Sequence, residues 1–444
     1  MKEITVVIGA GLTGLSTAYH MESKYAASGN NYSRKCFVIE KEATAGGLCR
    51  SFYHKGFTFD TGGHFLHTED NYVKSLVEKL LKGNSKLVKR NSKIFIKDRF
   101  IPYPFQGNLY YLPDEMKVEC LSEYIKAYVS NNNDKAANGK NFREWMRSNF
   151  GDGIAKYFME PFNRKLLKVS LEEISAEAMK RYIPVPDMNE IVSGALCKSR
   201  KAFGYNHEFY YPAKNGIQSF VNSFKAGLKN IITSAEVIKI NSKKKNLKLN
   251  TGPEISYDNL VSTMPLSELV KCISDAPEIV KKAGNNLRCN SLLIVNVGFR
   301  GKPAGKMHWI YLPEEEYECY RIGFYSEVAG SMAPKGMTSA YVEFSVNRGK
   351  EKTDIKGLEK KAIECLKKMK FIKGKKDILS CQSVFVDYGY VIFDSNREQC
   401  VGTIKDYLNN NGIYSEGRYG GWEYSTMSDA IISGKKMAEK ILMG

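Results

Sequence analysis

Ile4-Thr5-Val6-Val7-Ile8-Gly9-Ala10-Gly11-Leu12-Thr13-Gly14-Leu15 is the stretch whose reading decides the fold. Ile4 to Ile8 predicts a buried strand, Gly9 to Gly14 a tight loop, and Leu15 to roughly Lys24 an amphipathic helix. In such a loop Gly9 permits the sharp turn, Gly11 lets a pyrophosphate approach the backbone, and Gly14 lets helix and strand pack closely. The helix start then offers its unpaired N–H groups to phosphate.

Cys36 to Ile39 predicts the second strand, which completes a βαβ unit. Glu40 ends that strand, where a carboxylate can accept from ribose hydroxyls. The polar stretch Ser28 to Arg34 lengthens the helix-to-strand connection and reads as a surface insertion. A bare GxGxxG is a weak signal, and a glycine turn in a cofactor-free domain of the same shape is the competing reading. Flanking strand, helix and acid together favour a dinucleotide half-site.

A chain of 444 residues exceeds what one core usually supports, so two or three packed units sharing discontinuous segments are expected. With 43% hydrophobic and 12% aromatic residues it can bury a large core, yet no run approaches the roughly 18 apolar residues of a membrane span. Ile4 to Ile8 runs straight into the glycine loop, which is unlike a secretory signal. Ten cysteines without a CxxC pair predict reduced, buried thiols in a cytoplasmic protein with no structural metal. The net charge of +18 is diffuse, in runs such as Lys243 to Lys245 and Lys373 to Lys376. Without aromatic interleaving this predicts solvated surface or attraction of a phosphorylated ligand, and no nucleic-acid partner.

The expected fold is α/β: a Rossmann-like dinucleotide-binding domain in discontinuous segments, a helical insertion, and a mixed or antiparallel sheet domain. The first domain takes residues 1–95, 203–264 and 385–444, the helical insertion and lid 96–202, and the sheet-rich substrate domain 265–384. Trp145, Phe150, Ile154 and Phe158 recur at helical spacing in the insertion. Strand-like runs appear at Phe209 to Tyr211, Glu236 to Ile240, Leu292 to Phe299, Met307 to Leu312 and Cys319 to Tyr325. A mixed or antiparallel sheet domain fits this middle region. Asp429 to Leu442 predicts a last helix that packs back on the first domain.

Several segments resemble known families. Glu40-Lys41, Gly46-Gly47 and Arg50 are similar to the second FAD motif of the amine oxidase and mutase superfamily, which favours FAD over NAD. Phe59-Asp60-Thr61-Gly62-Gly63-His64 resembles the run that passes beside the flavin ring, with Gly63 and His64 nearest. Arg99-Phe100-Ile101-Pro102-Tyr103-Pro104-Phe105-Gln106, with Asn108 and Leu112-Pro113, resembles the uridine-side segment of UDP-galactopyranose mutases, especially the eukaryotic type. There Tyr103 and Phe105 can stack on a base while Gln106 bonds its edge. Phe158-Met159-Glu160-Pro161-Phe162-Asn163 is similar to that family's helical motif, in which Phe158 and Asn163 also contact nucleotide. Asn206, ahead of Phe209-Tyr210-Tyr211-Pro212, resembles a residue reaching flavin and substrate. Val237 and Val261-Ser262-Thr263-Met264 fall in the segment that returns to the cofactor.

Trp309-Ile310-Tyr311 and Cys319-Tyr320-Arg321 resemble the run giving Tyr311 and Arg321 to the substrate diphosphate, and Tyr390 and Tyr424 match two further phosphate-contacting tyrosines. Arginine suits that task through its planar fork. Gly417-Arg418 and Met427-Ser428 resemble the closing FAD motif, where a helix start donates to the ring's carbonyl side. One departure matters: the family's second active-site arginine falls in register with Tyr182, with Arg181 one residue earlier as the candidate to replace it. The chain also has Leu166 and Leu167 near Asn163 where the family has a tryptophan.

The resemblance implies a mutase that interconverts pyranose and furanose rings of a nucleotide-diphosphate sugar, supplying furanose for cell-surface polysaccharide. FAD would be active when reduced, with NAD(P)H as a candidate external reductant, and with His64, Arg321 and Arg181 as catalytic groups. Two alternatives stay open: a flavin oxidase or dehydrogenase of the amine or protoporphyrinogen type, and a silent nucleotide-sugar-binding protein. The sugar, the nucleotide and the oligomeric state are not read from the sequence.

Overall fold

The computed structural model describes residues 3–27, 34–133, 139–177, 180–198, 207–303, 305–349 and 353–443. Three distant parts of the chain build one parallel sheet in the order Ile413–Ser415, Asn259–Ser262, Glu3–Ile8, Arg34–Ile39, Ile231–Ile232. Glu3–Ile8 lies in the middle of it. A parallel strand covered on both faces must be apolar on both, and Val6 and Val7 are fully buried. Helix Leu12–Ala27 follows directly and packs along the last helix, Met427–Met443. Gly434 allows that approach, since a Cβ there would lie 2.5 Å from the carbonyl oxygen of Thr13. Ser16 Oγ also donates to the Ile431 carbonyl at 2.7 Å.

The second unit is a seven-stranded mixed sheet in the order Ile378–Val386, Ser291–Arg300, Met337–Val346, Arg321–Phe324, Trp309–Tyr311, Ser92–Ile96, Arg99–Pro102. Its pairs are antiparallel except where Trp309–Tyr311 runs parallel to Ser92–Ile96. The sheet therefore draws its edge hairpin from well outside residues 265–384. Helix Ile355–Lys368 covers one face through Leu358, Ala362, Cys365 and Leu366.

Two strand runs of the middle region lie outside this sheet. Glu208–Pro212 pairs with Ser85–Lys89 in a two-stranded ribbon, and Val237–Asn241 opens a separate three-stranded antiparallel sheet. Alternating apolar residues mark a strand with one buried face but not its partner, so periodicity alone could not separate three sheets.

The insertion is helical, as its spacing predicts: Asp114–Asn133, Phe142–Ile154, Glu160–Leu167 and Met188–Leu196. Its core takes Trp145, Phe150, Ile154 and Phe158 together with Phe105. Glu160 is buried within it and bonded by Arg143, Arg147 and Arg164.

The ten cysteines are free, but Cys197 is exposed and Cys272, Cys289 and Cys381 are only partly buried, against the expectation of buried thiols. Among the described residues no cluster of histidine, cysteine and acidic side chains is suited to a metal, and no helix is long and apolar enough to cross a membrane.

Candidate functional site

The glycine loop has the geometry its spacing predicts. Gly9 adopts φ +96°, and its N–H donates to the Ile39 carbonyl at 2.8 Å. A Cβ on Gly14 would drive into the carbonyl of Gly9, whereas one on Gly11 would meet no protein atom within 4 Å. Gly11 thus borders open space and Gly14 does not. Glu40 is buried at its strand end, accepting from the N–H groups of Ala10 at 2.7 Å and Glu42 at 2.9 Å. Two backbone donors fix the carboxylate and leave it further lone pairs. Gly46 donates to the Ala10 carbonyl, Gly47 packs on Gly11, and Arg50 pairs with Glu42 at 3.3 Å while its buried Nε has no partner. From the C-terminal side Gly417 packs on Thr13, and Ser428, in the first turn of the last helix, bonds Thr68 at 2.9 Å. Val237 is buried in the three-stranded sheet.

The Phe59 to His64 run enters between the two units and is anchored by Asp60. That fully buried carboxylate accepts from Ser51 Oγ at 2.6 Å, Tyr211 OH at 2.5 Å and the Ile217 N–H at 3.3 Å. Burial nonetheless pushes its pKa up to about 6. Beyond it, Gly63 lies against the Tyr341 ring, and the His64 Nδ1 has no partner. Desolvation brings the His64 imidazole down to about 4; Glu343 opposes this, while Arg321 and Arg418 add to it. His64 is therefore neutral near pH 7.

Around His64 stand two arginines in different states. Arg321 is paired with Glu343 on the neighbouring strand, through Nε and through Nη2 at 2.9 Å. No carboxylate pairs with Arg418 among the described residues. Its guanidinium lies 5.4 Å from the Tyr390 ring centre, 5.8 Å from Tyr419 and 5.9 Å from Tyr424, and donates to the Ser425 carbonyl at 3.0 Å. Phe393 stacks on Tyr424 and holds it in place. Tyr390, Tyr419, Tyr424 and Arg418 thus form a cationic, hydroxyl-rich cluster.

A second cluster gathers around Arg90. Arg90 stacks 4.0 Å from the Tyr103 ring centre and 5.0 Å from Trp309, and donates to Ser92 Oγ at 2.7 Å and Tyr311 OH at 3.2 Å. Phe162 meets the Tyr311 ring edge-on at 5.2 Å. Aromatic faces around a guanidinium suit a planar anionic ligand.

Other residues expected at the ligand lie elsewhere or are engaged within the protein. Phe105 is completely buried and stacked on Phe158 at 5.2 Å, and Phe158 on Phe162 at 5.5 Å, so Phe105 has no free face for a base. Gln106 is buried and donates to the Pro184 carbonyl at 2.6 Å, and Asn163 to the Met159 carbonyl at 2.8 Å. Both amide nitrogens are thus engaged within the helical unit. Arg181 does not join Arg321 and His64: its side chain is 68% exposed, pairs with Asp429 at 2.7 Å, and borders a cavity of about 380 Å³ with Glu416, Glu423 and Lys436. Tyr182 turns inward instead, donating to the Tyr424 carbonyl at 2.7 Å. Asn206 lies outside the described residues.

Glu343 and Arg90 were not found from sequence. An acid in the otherwise apolar run Tyr341-Val342-Glu343-Phe344 is a signal that could have marked the first; Lys89-Arg90-Asn91 carries none.

A sequence profile described as flavin containing amine oxidoreductase matches residues 12–442. The chain belongs to that family. Its members' flavin fits the residues present: Gly11 faces open space, the Arg50 Nε and His64 Nδ1 are buried without partners, and Glu40 is held ready at the strand end. This flavoenzyme family member also resembles, over short stretches, an inactive all-trans-retinol 13,14-reductase from Danio rerio (30% identical over 92 residues, 20% of this chain) and a farnesylcysteine lyase from Arabidopsis thaliana (32% over 73 residues, 16% of this chain). Each match spans 14% of the relative's length. Among solved structures the fold is like that of a reduced UDP-galactopyranose mutase, with TM-score 0.91 and 24% identity, covering 100% of this chain and 94% of the other. It is also like a protein described as a protoporphyrinogen oxidase from Exiguobacterium, with TM-score 0.76 and 17% identity over 100% and 99% of the two chains. A putrescine oxidase follows with TM-score 0.68 and 12% identity over 100% of both.

Proposed function

We propose that this flavoenzyme is a nucleotide-sugar mutase that interconverts pyranose and furanose forms. The observation that carries the reading is Arg418, a cation without a carboxylate partner among the described residues, ringed by Tyr390, Tyr419 and Tyr424 beside His64. Charge-assisted bonds from such a cluster suit a diphosphate. The likeness of the whole chain to UDP-galactopyranose mutase supports the same substrate class.

Gly9, Gly11, Gly14, Glu40 and Arg50 would hold the dinucleotide end of a flavin, which when bound and reduced would supply a nucleophile for the anomeric carbon. Arg418 and the tyrosines hold the leaving diphosphate and stabilise the charge that develops on it. Arg90, Tyr103 and Tyr311 receive the base or another planar part of the ligand. His64, kept neutral, offers a hydrogen bond rather than a charge. Aromatic walls and the helical unit above exclude water.

The test is to purify the protein, record its flavin spectrum, reduce it without air, and supply a panel of nucleotide sugars. Pyranose–furanose conversion with the flavin returned reduced is expected. Flavin bleaching by substrate with peroxide formed in air identifies an oxidase instead, and binding without turnover identifies a silent binder. Arg418→Ala is expected to weaken nucleoside-diphosphate binding about tenfold to a hundredfold, as loss of a charged hydrogen-bond donor does, measured by titration calorimetry. Arg181→Ala is expected to change the same affinity by less than about threefold, because an exposed ion pair contributes little. A large loss there would return Arg181 to the site.

A further inference from the structure

Arg321 and Glu343 face each other directly across adjacent strands. The contact is side-on, Nε to Oε2 and Nη2 to Oε1, and Glu343 is only 2% exposed. A guanidinium gripped on that edge keeps its Nη1 corner and one Nη2 hydrogen for anything else. Glu343 reaches further: a Cβ on Gly62 would lie 2.6 Å from Glu343 Oε1, and Gly62 has φ +75°. The turn leading to His64 thus rests on this carboxylate, in a backbone conformation that favours glycine. Tyr341, two residues before Glu343 and so on the same face of the strand, supports Gly63 and Gly323. The strand Met337–Val346 is the floor of the Gly62 to His64 turn.

We propose that Glu343 sets both the pose and the net charge of Arg321: it is a positioning residue that presents the Nη1 corner to a phosphorylated ligand and cancels the arginine's charge. The cluster's net positive charge is then that of Arg418, and Arg321 contributes direction rather than attraction. This rests on the nucleotide-sugar reading above for the ligand, but not for the pairing itself. A buried ion pair of this kind is costly to break from one side and cheaper to remove whole.

A mutant cycle with UDP as the probe tests it, using flavin-loaded wild type, Glu343→Gln, Arg321→Ala and the double variant. Glu343→Gln releases one positive charge, so UDP should bind roughly threefold to tenfold more tightly with steeper salt dependence, while kcat falls at least about tenfold. In the Arg321→Ala background the same change should leave UDP affinity within about twofold and raise the melting temperature, because it removes an unpaired buried charge. Arg321→Met, uncharged and of similar length, takes the place of the alanine variant should that one not fold. Equal effects of Glu343→Gln with and without Arg321, or parallel loss of affinity and turnover, would overturn the proposal. If wild type binds no UDP, the nucleotide-sugar reading fails by itself; the melting-temperature cycle then decides the pairing, with additive losses overturning it.

Discussion

Gly14→Ala is expected to give a chain that either fails to fold or holds no flavin, and Gly11→Ala a chain that folds normally but binds flavin weakly. The two glycines share one loop and one helix start, yet their surroundings differ. A methyl on Gly14 would penetrate the Gly9 carbonyl and lie 3.2 Å from both the Gly9 carbonyl carbon and Val7 Cγ1. The obstructing atoms are mainly backbone, and that backbone belongs to the central strand and its turn. Relief requires the first helix to move off the sheet, against its contact with the last helix through Gly434. Forced overpacking of this sort costs about 1–3 kcal/mol where side chains can yield, and more where only backbone can. A methyl on Gly11 meets no protein atom within 4 Å, so its cost appears only against a ligand. Thermal melting and retained flavin absorbance separate the two effects. A Gly14→Ala protein with native melting temperature and full flavin would show that this loop is not the dinucleotide site.

The contrast marks what sequence can and cannot reveal. The glycine loop was legible because strand, turn and helix are local, and each glycine answers a constraint a few residues away. The helical insertion was legible for the same reason, through the large apolar residues Trp145, Phe150 and Ile154 that build its core. Sheet membership was not, since a strand's own residues do not name its partner: Val237–Asn241 pairs with Asn246–Leu249, and Ser291–Arg300 with Met337–Val346. The ligand cluster was half legible: family likeness brought Tyr390, Tyr424 and Arg418 to notice, and the structure gathers them. It could not say that Phe105 turns into the helical core, or that Arg181 faces Asp429 while Tyr182 turns inward. Orientation at those positions depends on which neighbours arrive from distant segments. Glu343 shows the limit most plainly, because its meaning lies in a partner 22 residues away across a strand pair.

Stability is expected to fall steeply as pH drops from about 6.5 towards 4, with three histidines responsible. His64, His67 and His308 each sit near 4 instead of 6.5, chiefly through desolvation, reinforced by Arg321 and Arg418 at His64, by Arg90 at His67, and by Lys86 and Arg90 at His308. Between those values the unfolded chain binds protons that the native state refuses, so stability is full above 6.5 and is lost as pH falls. Asp60 works in the opposite sense. Its folded value is raised to about 6, so it favours the native state at low pH and loses that contribution as pH rises through 6. Taken alone, these four groups leave a slope on the order of 2 kcal/mol per pH unit near pH 5, from about 1.36 kcal/mol per proton per unit; the lowered His20 adds to it, and Glu22, Glu327 and Glu423, raised by burial, oppose it. That is large beside the roughly 5–15 kcal/mol total of a typical domain. His308 accepts from the Asn91 N–H through Nδ1 at 3.1 Å and, unlike His64, feels Lys86 and Arg90 rather than Arg321 and Arg418, which makes it the residue to change. Melting temperatures from pH 7 to 4.5 should show a shallower decline for His308→Gln than for wild type. An unchanged slope in that variant, or a wild type whose stability holds or rises towards pH 4.5, would mean that these rings are reached by water and that the site is more open than its packing indicates.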